Sequence, residues 1–166
     1  IALVFLPVLG GVICLVLKKR KNVSLIIAIV TALVGGSVLP FVIFDNASID
    51  IGNWGSLGIG LAIDELAIPF LLSTFIVMLA VILNSIKKGY DGFFYALILI
   101  LYGTLNSIFL SRDLFSIFVT VELASIISFI LVSYEKKPRQ AWASLKYLLL
   151  SSLGLNFYLL GIGIVY

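Results

Sequence analysis

The sequence predicts an all-α protein, a polytopic transmembrane helix bundle of about six spans in a single membrane domain over residues 1–166. Hydrophobic residues make up 62% of the chain and charged residues 11%, and the mean hydropathy is +1.25. Soluble domains are only about 45 to 50% apolar. The apolar runs are about 17 to 25 residues long, which is enough for a helix to cross a hydrocarbon core about 30 Å thick. A multi-pass protein of the cell membrane is therefore expected.

Charged and polar breaks between the apolar runs set the predicted spans in chain order. The first span ends at the basic run that begins with Lys18, and the second ends before the polar stretch from Asp45 to Glu65. Lys87 follows the third span, the Arg112–Asp113 pair separates the fourth from the fifth, and charged residues from Glu135 onward separate the fifth from the sixth. Turn-forming residues in the 45–65 stretch favour a short β-hairpin. The predicted spans are residues 1–17, 23–44, 66–86, 93–111, 114–134 and 141–166.

The basic residues indicate an orientation, because they fall in alternate loops. These residues are Lys18, Lys19, Arg20, Lys21, Lys87, Lys88, Lys136, Lys137 and Arg139. The positive-inside rule makes these loops cytoplasmic and puts the N-terminus outside. The lysines lack interleaved aromatic residues or a continuous basic face, so lipid headgroups are expected to be their partners and nucleic acid is not.

Residue types that hold metals and redox groups are scarce. The chain has no histidine and one cysteine, Cys14. A disulfide, a thiolate metal cluster and haem ligation by histidine are therefore not expected within this chain, and neither a cofactor nor a metal is predicted. An intramembrane enzyme is not favoured either, because the chain has no Ser/His/Asp set.

Glu122 is the candidate functional residue, because it lies near the middle of the fifth apolar run. An ionisable group at membrane depth is a functional-site hypothesis by default. An apolar surrounding favours the neutral acid and a nearby cation favours the carboxylate, so a cation that moves could switch the group between these states. Ser125 is its polar neighbour on the same helix. The alternative is a permanently protonated glutamate that donates an interhelical hydrogen bond.

Lys146 is the candidate partner, about five residues inside the sixth predicted span. Its estimated depth is about 9 to 10 Å nearer the cytoplasm than that of Glu122, so water or a further group would have to bridge the two. The alternative is that its long side chain reaches out to the membrane surface.

Other polar, small and proline residues are expected to serve the structure. Asp64 and Asp113 precede apolar spans and are expected to cap helices. Interhelical hydrogen bonds are expected from Asn84, Asn106 and Asn156. Close helix approach is expected along Ala28, Ala32 and Gly36. Helix kinks or freed backbone carbonyls are expected at Pro7, Pro40 and Pro69.

Three groups of motifs together resemble the antiporter-like membrane subunits. Gly52-Asn53-Trp54-Gly55, Gly58-Ile59-Gly60 and Asp64-Glu65-Leu66 resemble the stretch before the third helix of that family. Ser111-Arg112-Asp113-Leu114-Phe115 with Val121-Glu122-Leu123 resembles its fifth helix, and Ser144-Leu145-Lys146-Tyr147 the start of its sixth. The family comprises proton-pumping subunits of respiratory complex I, large subunits of Mrp-type cation/proton antiporters, and related subunits of membrane-bound hydrogenases.

The resemblance implies that the chain corresponds to the first six of the family's fourteen helices, with Glu122 as the coupling glutamate and Lys146 as a polar-axis lysine. It further implies an ion-translocating subunit, for H+ or for Na+/H+ antiport, that works with other membrane subunits of a multisubunit complex. The complexes of this family include oxidoreductases. The alternative is a truncated paralogue that acts as a membrane scaffold without transport. A piece of a longer protein, a split-gene subunit and such a paralogue all remain open at this point.

Overall fold

The computed structural model describes residues 2–45, 48–51, 59–135 and 137–165. Six helices and one hairpin follow in chain order: α1 (Ala2–Val16), α2 (Lys21–Asp45), β1 (Ser48–Ile51), β2 (Ile59–Ala62), α3 (Ala67–Lys88), α4 (Gly92–Leu110), α5 (Leu114–Val132) and α6 (Pro138–Val165). Each helix begins and ends within three residues of its predicted span. Most of the Gly52–Gly60 motif and Lys136 lie outside the described residues.

Five of these helices are long and apolar enough to cross a membrane, namely those that begin at Lys21, Ala67, Gly92, Leu114 and Pro138. α1 is apolar too, but its 15 residues rise only about 22 Å. The predicted all-α membrane bundle is confirmed, with five span-length helices and one shorter helix in the described part of the chain.

α4 is the central helix of the packed bundle, because it contacts α1, α2, α3 and α5. A core of buried side chains fills the space between the first four helices: Cys14, Ala28, Ala32, Met78, Ile82, Tyr95, Ala96, Leu99 and Tyr102. The small residues permit this close approach. A Cβ atom on Gly11 would lie 2.6 Å from Cγ1 of Ile100, and one on Gly36 would overlap the ring of Phe75. The predicted packing role of the α2 stripe agrees with these contacts.

The hairpin closes one end of this bundle. β1 and β2 pair antiparallel, with Ser48 opposite Ala62 and Ile51 opposite Ile59. The backbone N–H of Arg112 donates to the carbonyl of Gly60 at 2.9 Å, which ties β2 to the segment between α4 and α5. The hairpin expected from the turn residues is therefore present and attached to the helix ends.

Three aspartates cap helix starts. Asp64 accepts from the N–H of Ala67 at 2.7 Å, Asp91 from Phe94 at 3.2 Å, and Asp113 from Ser116 at 2.6 Å. The predictions for Asp64 and Asp113 are thus matched by the geometry. Gly89 caps the C-terminal end of α3, and its φ of 62° lies in the left-handed region that favours glycine.

α5 and α6 lie outside the four-helix core. α5 packs on α4, and α6 packs on the other helix of this pair, α5. Only two described residues of α6 are buried, Ser144 and Ile162. A Cβ atom added to Gly154, Gly161 or Gly163 of α6 would meet no atom within 4 Å. Most of the α6 surface is therefore open in this chain.

Candidate functional site

Glu122 is the ninth of the 19 residues of α5, so it lies about 12 Å from one helix end and about 15 Å from the other. Its side chain is exposed and takes part in no ion pair within the described residues. The carboxyl group therefore lies at membrane depth on an outer face of this chain, open to water, lipid or another protein segment.

Ser125, the predicted polar neighbour of Glu122, bonds to α6 instead. Its hydroxyl oxygen accepts a hydrogen bond from the hydroxyl of Ser151 at 2.9 Å, and the side chain is buried at 8% exposure. A second hydrogen bond, at the N-terminal end of α5, joins the Tyr158 hydroxyl to the carbonyl of Leu114 at 3.3 Å. The two bonds fix the antiparallel register of α5 and α6.

Lys146 is exposed on α6, and its ammonium lies 5.3 Å from the ring centroid of Trp142. Trp142 is one helical turn nearer the N-terminal end of α6, so the lysine side chain extends toward the nearer end of the helix, as helical side chains generally do. This direction favours the alternative in which Lys146 reaches toward the membrane surface.

The structure does not bring Glu122 and Lys146 together. α5 and α6 are antiparallel, so residues that precede Ser151 on α6 lie level with residues that follow Ser125 on α5. The two hydrogen bonds between these helices place Lys146 level with residues 126 to 130 of α5. The two charged groups are therefore offset by about 6 to 12 Å along the membrane normal. Lys146 also lies about 140° around α6 from Ser151, on the side turned away from α5. A relay between the two would need water or a further group.

A second polar cluster lies inside the four-helix core. Asn106 is 1% exposed, accepts from the Thr74 hydroxyl at 3.0 Å and donates its amide N–H to the carbonyl of Leu3 at 3.0 Å. Pro7, four residues after Leu3, has no N–H to donate to that carbonyl. Asn106 thus satisfies the carbonyl that the proline frees. The expectation of an interhelical asparagine is met here, whereas Asn84 and Asn156 are exposed.

Sequence reasoning missed the contact between Asp91 and Tyr134. The Tyr134 hydroxyl donates to Oδ1 of Asp91, which also caps α4. Desolvation, together with the hydrogen bond to Asp91, raises the pKa of the Tyr134 phenol to about 12. An aspartate just before an apolar run is a helix-start signal, but nothing in the sequence pairs it with a tyrosine 43 residues later.

Glu135 lies just beyond, at the surface. Its carboxylate forms an ion pair with the Lys137 ammonium at 2.6 Å, and this hydrogen bond lowers the pKa of Glu135. Glu135 is therefore a solvated residue just beyond the end of α5.

The fold and the position of Glu122 define the class: a multi-pass membrane protein with a carboxyl group at membrane depth. Residues 111–166, which include Glu122, Ser125 and Lys146, match the family model described as "NADH:quinone oxidoreductase/Mrp antiporter, TM". The resemblance to antiporter-like membrane subunits, predicted from the motifs, is confirmed.

Similar proteins extend this likeness over nearly the whole chain. A Na(+)/H(+) antiporter subunit of Bacillus subtilis (strain 168) is 26% identical over 98% of this chain, and the "NAD(P)H-quinone oxidoreductase subunit 2" of Prochlorococcus marinus (strain MIT 9301) is 33% identical over 80% of it. A chain in the structure of the membrane-bound sulfane sulfur reductase, an archaeal respiratory membrane complex, superposes with a TM-score of 0.82 at 25% identity over 99% of this chain.

The chain spans only about a third of the length of these relatives: 35% of the B. subtilis protein, 27% of the P. marinus protein and 36% of the solved chain. The likeness therefore concerns one part of proteins that are much longer.

Proposed function

We propose that this chain forms part of an ion-translocating membrane subunit that moves H+, or exchanges Na+ for H+, within a multisubunit complex. The observation that carries the proposal is the position of Glu122: the segment matching the family model places this carboxyl group mid-way along a helix of spanning length. Intramembrane carboxyl groups are costly and commonly mark ion or proton pathways.

In this proposal Glu122 binds and releases a proton. An apolar surrounding stabilises the neutral acid, and water or a cation that approaches stabilises the carboxylate. Because this side of α5 is exposed, water or a cation can reach the carboxyl group of Glu122. Lys146 is proposed as a second charged group along the path, although its side chain extends over Trp142. Its offset of about 6 to 12 Å from Glu122 requires water between the two groups.

The proposed setting follows from charge and from the relatives. The Lys- and Arg-rich loops face the cytoplasm and the N-terminus faces outward, because basic loops are retained on the cytoplasmic side. Two relatives are named as subunits, one of an antiporter and one of an oxidoreductase, which supports other membrane subunits as partners. Any redox chemistry would then reside in those partners.

The test uses the whole complex in sealed vesicles, with pH-gradient and Na+-gradient formation as the readouts. Glu122→Gln keeps the shape of the side chain and removes the titratable group, so we expect the coupled gradient to fall at least tenfold at matched assembly. Glu135→Gln is the control, since it removes a carboxylate that lies in the interfacial loop after α5.

A gradient that survives in Glu122→Gln would contradict the proposal and would favour a scaffold role, for which the open surface of α6 offers packing area. Lys146→Gln separates the two roles of the lysine. A lowered pH or Na+ gradient in this variant would place Lys146 on the ion path. A gradient equal to that of wild type would show that Lys146 only extends to the membrane surface.

A further inference from the structure

A cleft of about 680 Å³ opens at the basic end of the bundle, where the turn between α1 and α2 meets the start of α4 and the end of α5. Its volume lies in the range typical of small-molecule sites. The residues that line it and matter here are Lys18, Lys19, Asp91, Phe93, Ser133 and Tyr134.

The cleft carries a net positive charge, because two lysines and one aspartate line it. Lys18 and Lys19 are exposed. In the described part of the chain, the ion pair that is present joins Lys137 to Glu135 and involves neither of them. Asp91, the acidic residue of the cleft, is engaged by the N–H of Phe94 and by the Tyr134 hydroxyl. Neither Lys18 nor Lys19 forms an ion pair within the described residues, so both ammonium groups are available for an anion beside the carboxylate of Asp91.

The hydroxyl groups in the cleft wall already donate hydrogen bonds within the protein, which limits the kinds of ligand that the cleft can bind. The Ser133 hydroxyl donates to the carbonyl of Ile130 at 3.1 Å, and the Tyr134 hydroxyl donates to Asp91. The cleft therefore offers charge rather than a set of directional donors. This suits a phosphate diester, whose charge is spread over two oxygens, better than a ligand that requires several fixed hydrogen bonds.

Exposed apolar side chains lie at the same helix ends as the cleft. Phe93 lies in the cleft wall, and Val16 and Val132, at the last turns of α1 and α5, are 79% and 44% exposed. A charged mouth at a helix end beside exposed apolar side chains matches an amphiphile with an anionic head and acyl chains. A free anion would use the mouth alone.

We infer that this cleft binds an anionic phospholipid, with Lys18 and Lys19 holding the headgroup phosphate and the acyl chains lying along the exposed ends of α1 and α5. Such a lipid would bridge the first pair of helices to the junction of α4 and α5. The inference stands apart from the ion path, because Glu122 lies about 15 Å away along α5.

The test measures lipid binding to the detergent-purified complex by native mass spectrometry, with phosphatidylglycerol and phosphatidylcholine of identical acyl chains. We expect wild type to retain phosphatidylglycerol over phosphatidylcholine, and Lys18→Gln/Lys19→Gln to lose one bound phosphatidylglycerol, with about tenfold weaker binding, since each basic group near a membrane surface contributes substantially. The matched control, Lys87→Gln/Arg139→Gln, removes two charges from loops predicted on the same side, outside the cleft lining, and should bind as wild type does.

Equal retention of phosphatidylglycerol by wild type and the Lys18/Lys19 variant would overturn the inference. An equal loss in the control variant would overturn it too, because the effect would then be one of general surface charge. Displacement of the lipid by millimolar inorganic phosphate would assign the cleft to a free anion instead. Lys18→Glu/Lys19→Glu should weaken binding further, and failure to do so would also count against the headgroup contact.

Discussion

The first four helices and the last two use small and polar residues in opposite ways. In α1 to α4, glycines sit where helices touch: a Cβ atom on Gly11 would lie 2.6 Å from Ile100 and 3.0 Å from the carbonyl of Ala96. On α6, an added Cβ at Gly154 would meet nothing within 4 Å. The same residue type thus marks a tight contact in one region and an open surface in the other.

The asparagines follow this division only in part, because Asn84 on α3 is exposed as well. Asn106 is buried and bonded to two helices, whereas Asn156 on α6 is exposed. Lipid is as apolar as a leucine side chain, so hydrophobicity brings helices into the membrane without deciding which faces pack. The contrast teaches that α1 to α4 share a common buried core, while α5 and α6 add only a few buried residues and carry polar groups that this chain leaves open.

The proposed chemistry lies in the open region. Glu122 and Lys146 are both on the exposed surface of α5 and α6, and water or another segment can reach them. A proton relay needs groups whose surroundings change, and a loosely packed region permits such changes at lower cost than a filled core.

The largest expected effect comes from overfilling the packed region. Gly11→Leu should lower the free energy of unfolding by about 3 kcal/mol or more, because Ile100 and the α4 backbone leave no room. Gly154→Leu is the matched control and should be neutral or stabilising by up to about 1 kcal/mol, since leucine is the better helix former. Unfolding of the full-length protein in mixed micelles measures both.

A loss of stability in Gly154→Leu as large as that in Gly11→Leu would break the contrast. It would show that another protein segment covers the open face of α6, and the division between the two regions would then hold only for this chain by itself.

The next effect concerns the hydrogen bond between Asn106 and the carbonyl of Leu3. Asn106→Leu should cost about 1 to 2 kcal/mol, because the carbonyl that Pro7 leaves free would stay buried without a donor. Asn156→Leu, on the open face, should change stability by less than about 0.5 kcal/mol.

A double-mutant cycle sharpens this prediction. Pro7→Ala restores an N–H four residues after Leu3, so Asn106→Leu should cost less in the Pro7→Ala background than in wild type. Equal costs in both backgrounds would show that the asparagine matters through Thr74 or through packing, and would refute the carbonyl argument.

The smallest effect concerns the junction between the two regions, where Tyr134 bonds to Asp91. With a pKa of about 12, Tyr134 stays neutral in the folded protein while an unfolded tyrosine ionises near pH 10. Its contribution to stability is therefore present below about pH 10 and is lost as the pH rises toward 12. Tyr134→Phe should remove this part of the alkaline loss and the corresponding tyrosinate absorbance.

Asp91→Asn provides the independent check, since it removes the carboxylate that accepts the phenol proton. Tyrosinate absorbance should then develop at lower pH than in wild type. An unchanged titration curve would show that the hydrogen bond does not set the ionisation of Tyr134.

Much of the fold could be predicted because its signals are local. A long run of apolar residues indicates a helix that inserts into the membrane. An aspartate before such a run indicates where the helix starts, as at Asp64 and Asp113. Glu122 stood out because a carboxyl in such a run is costly. Tyr134 and Asp91 could not be paired in advance, because their contact depends on how α4 and α5 meet.

The sequence by itself determined where the helices run, how they are capped and which carboxyl lies at membrane depth, since each depends on neighbours a few residues away and on transfer from water to lipid. Only the tertiary structure decided which asparagine is buried, that Ser125 bonds to Ser151, and that Tyr134 bonds to Asp91. Those outcomes depend on the register and rotation of helices against one another. In a membrane these are set by shape and hydrogen bonding between faces that are equally apolar in composition.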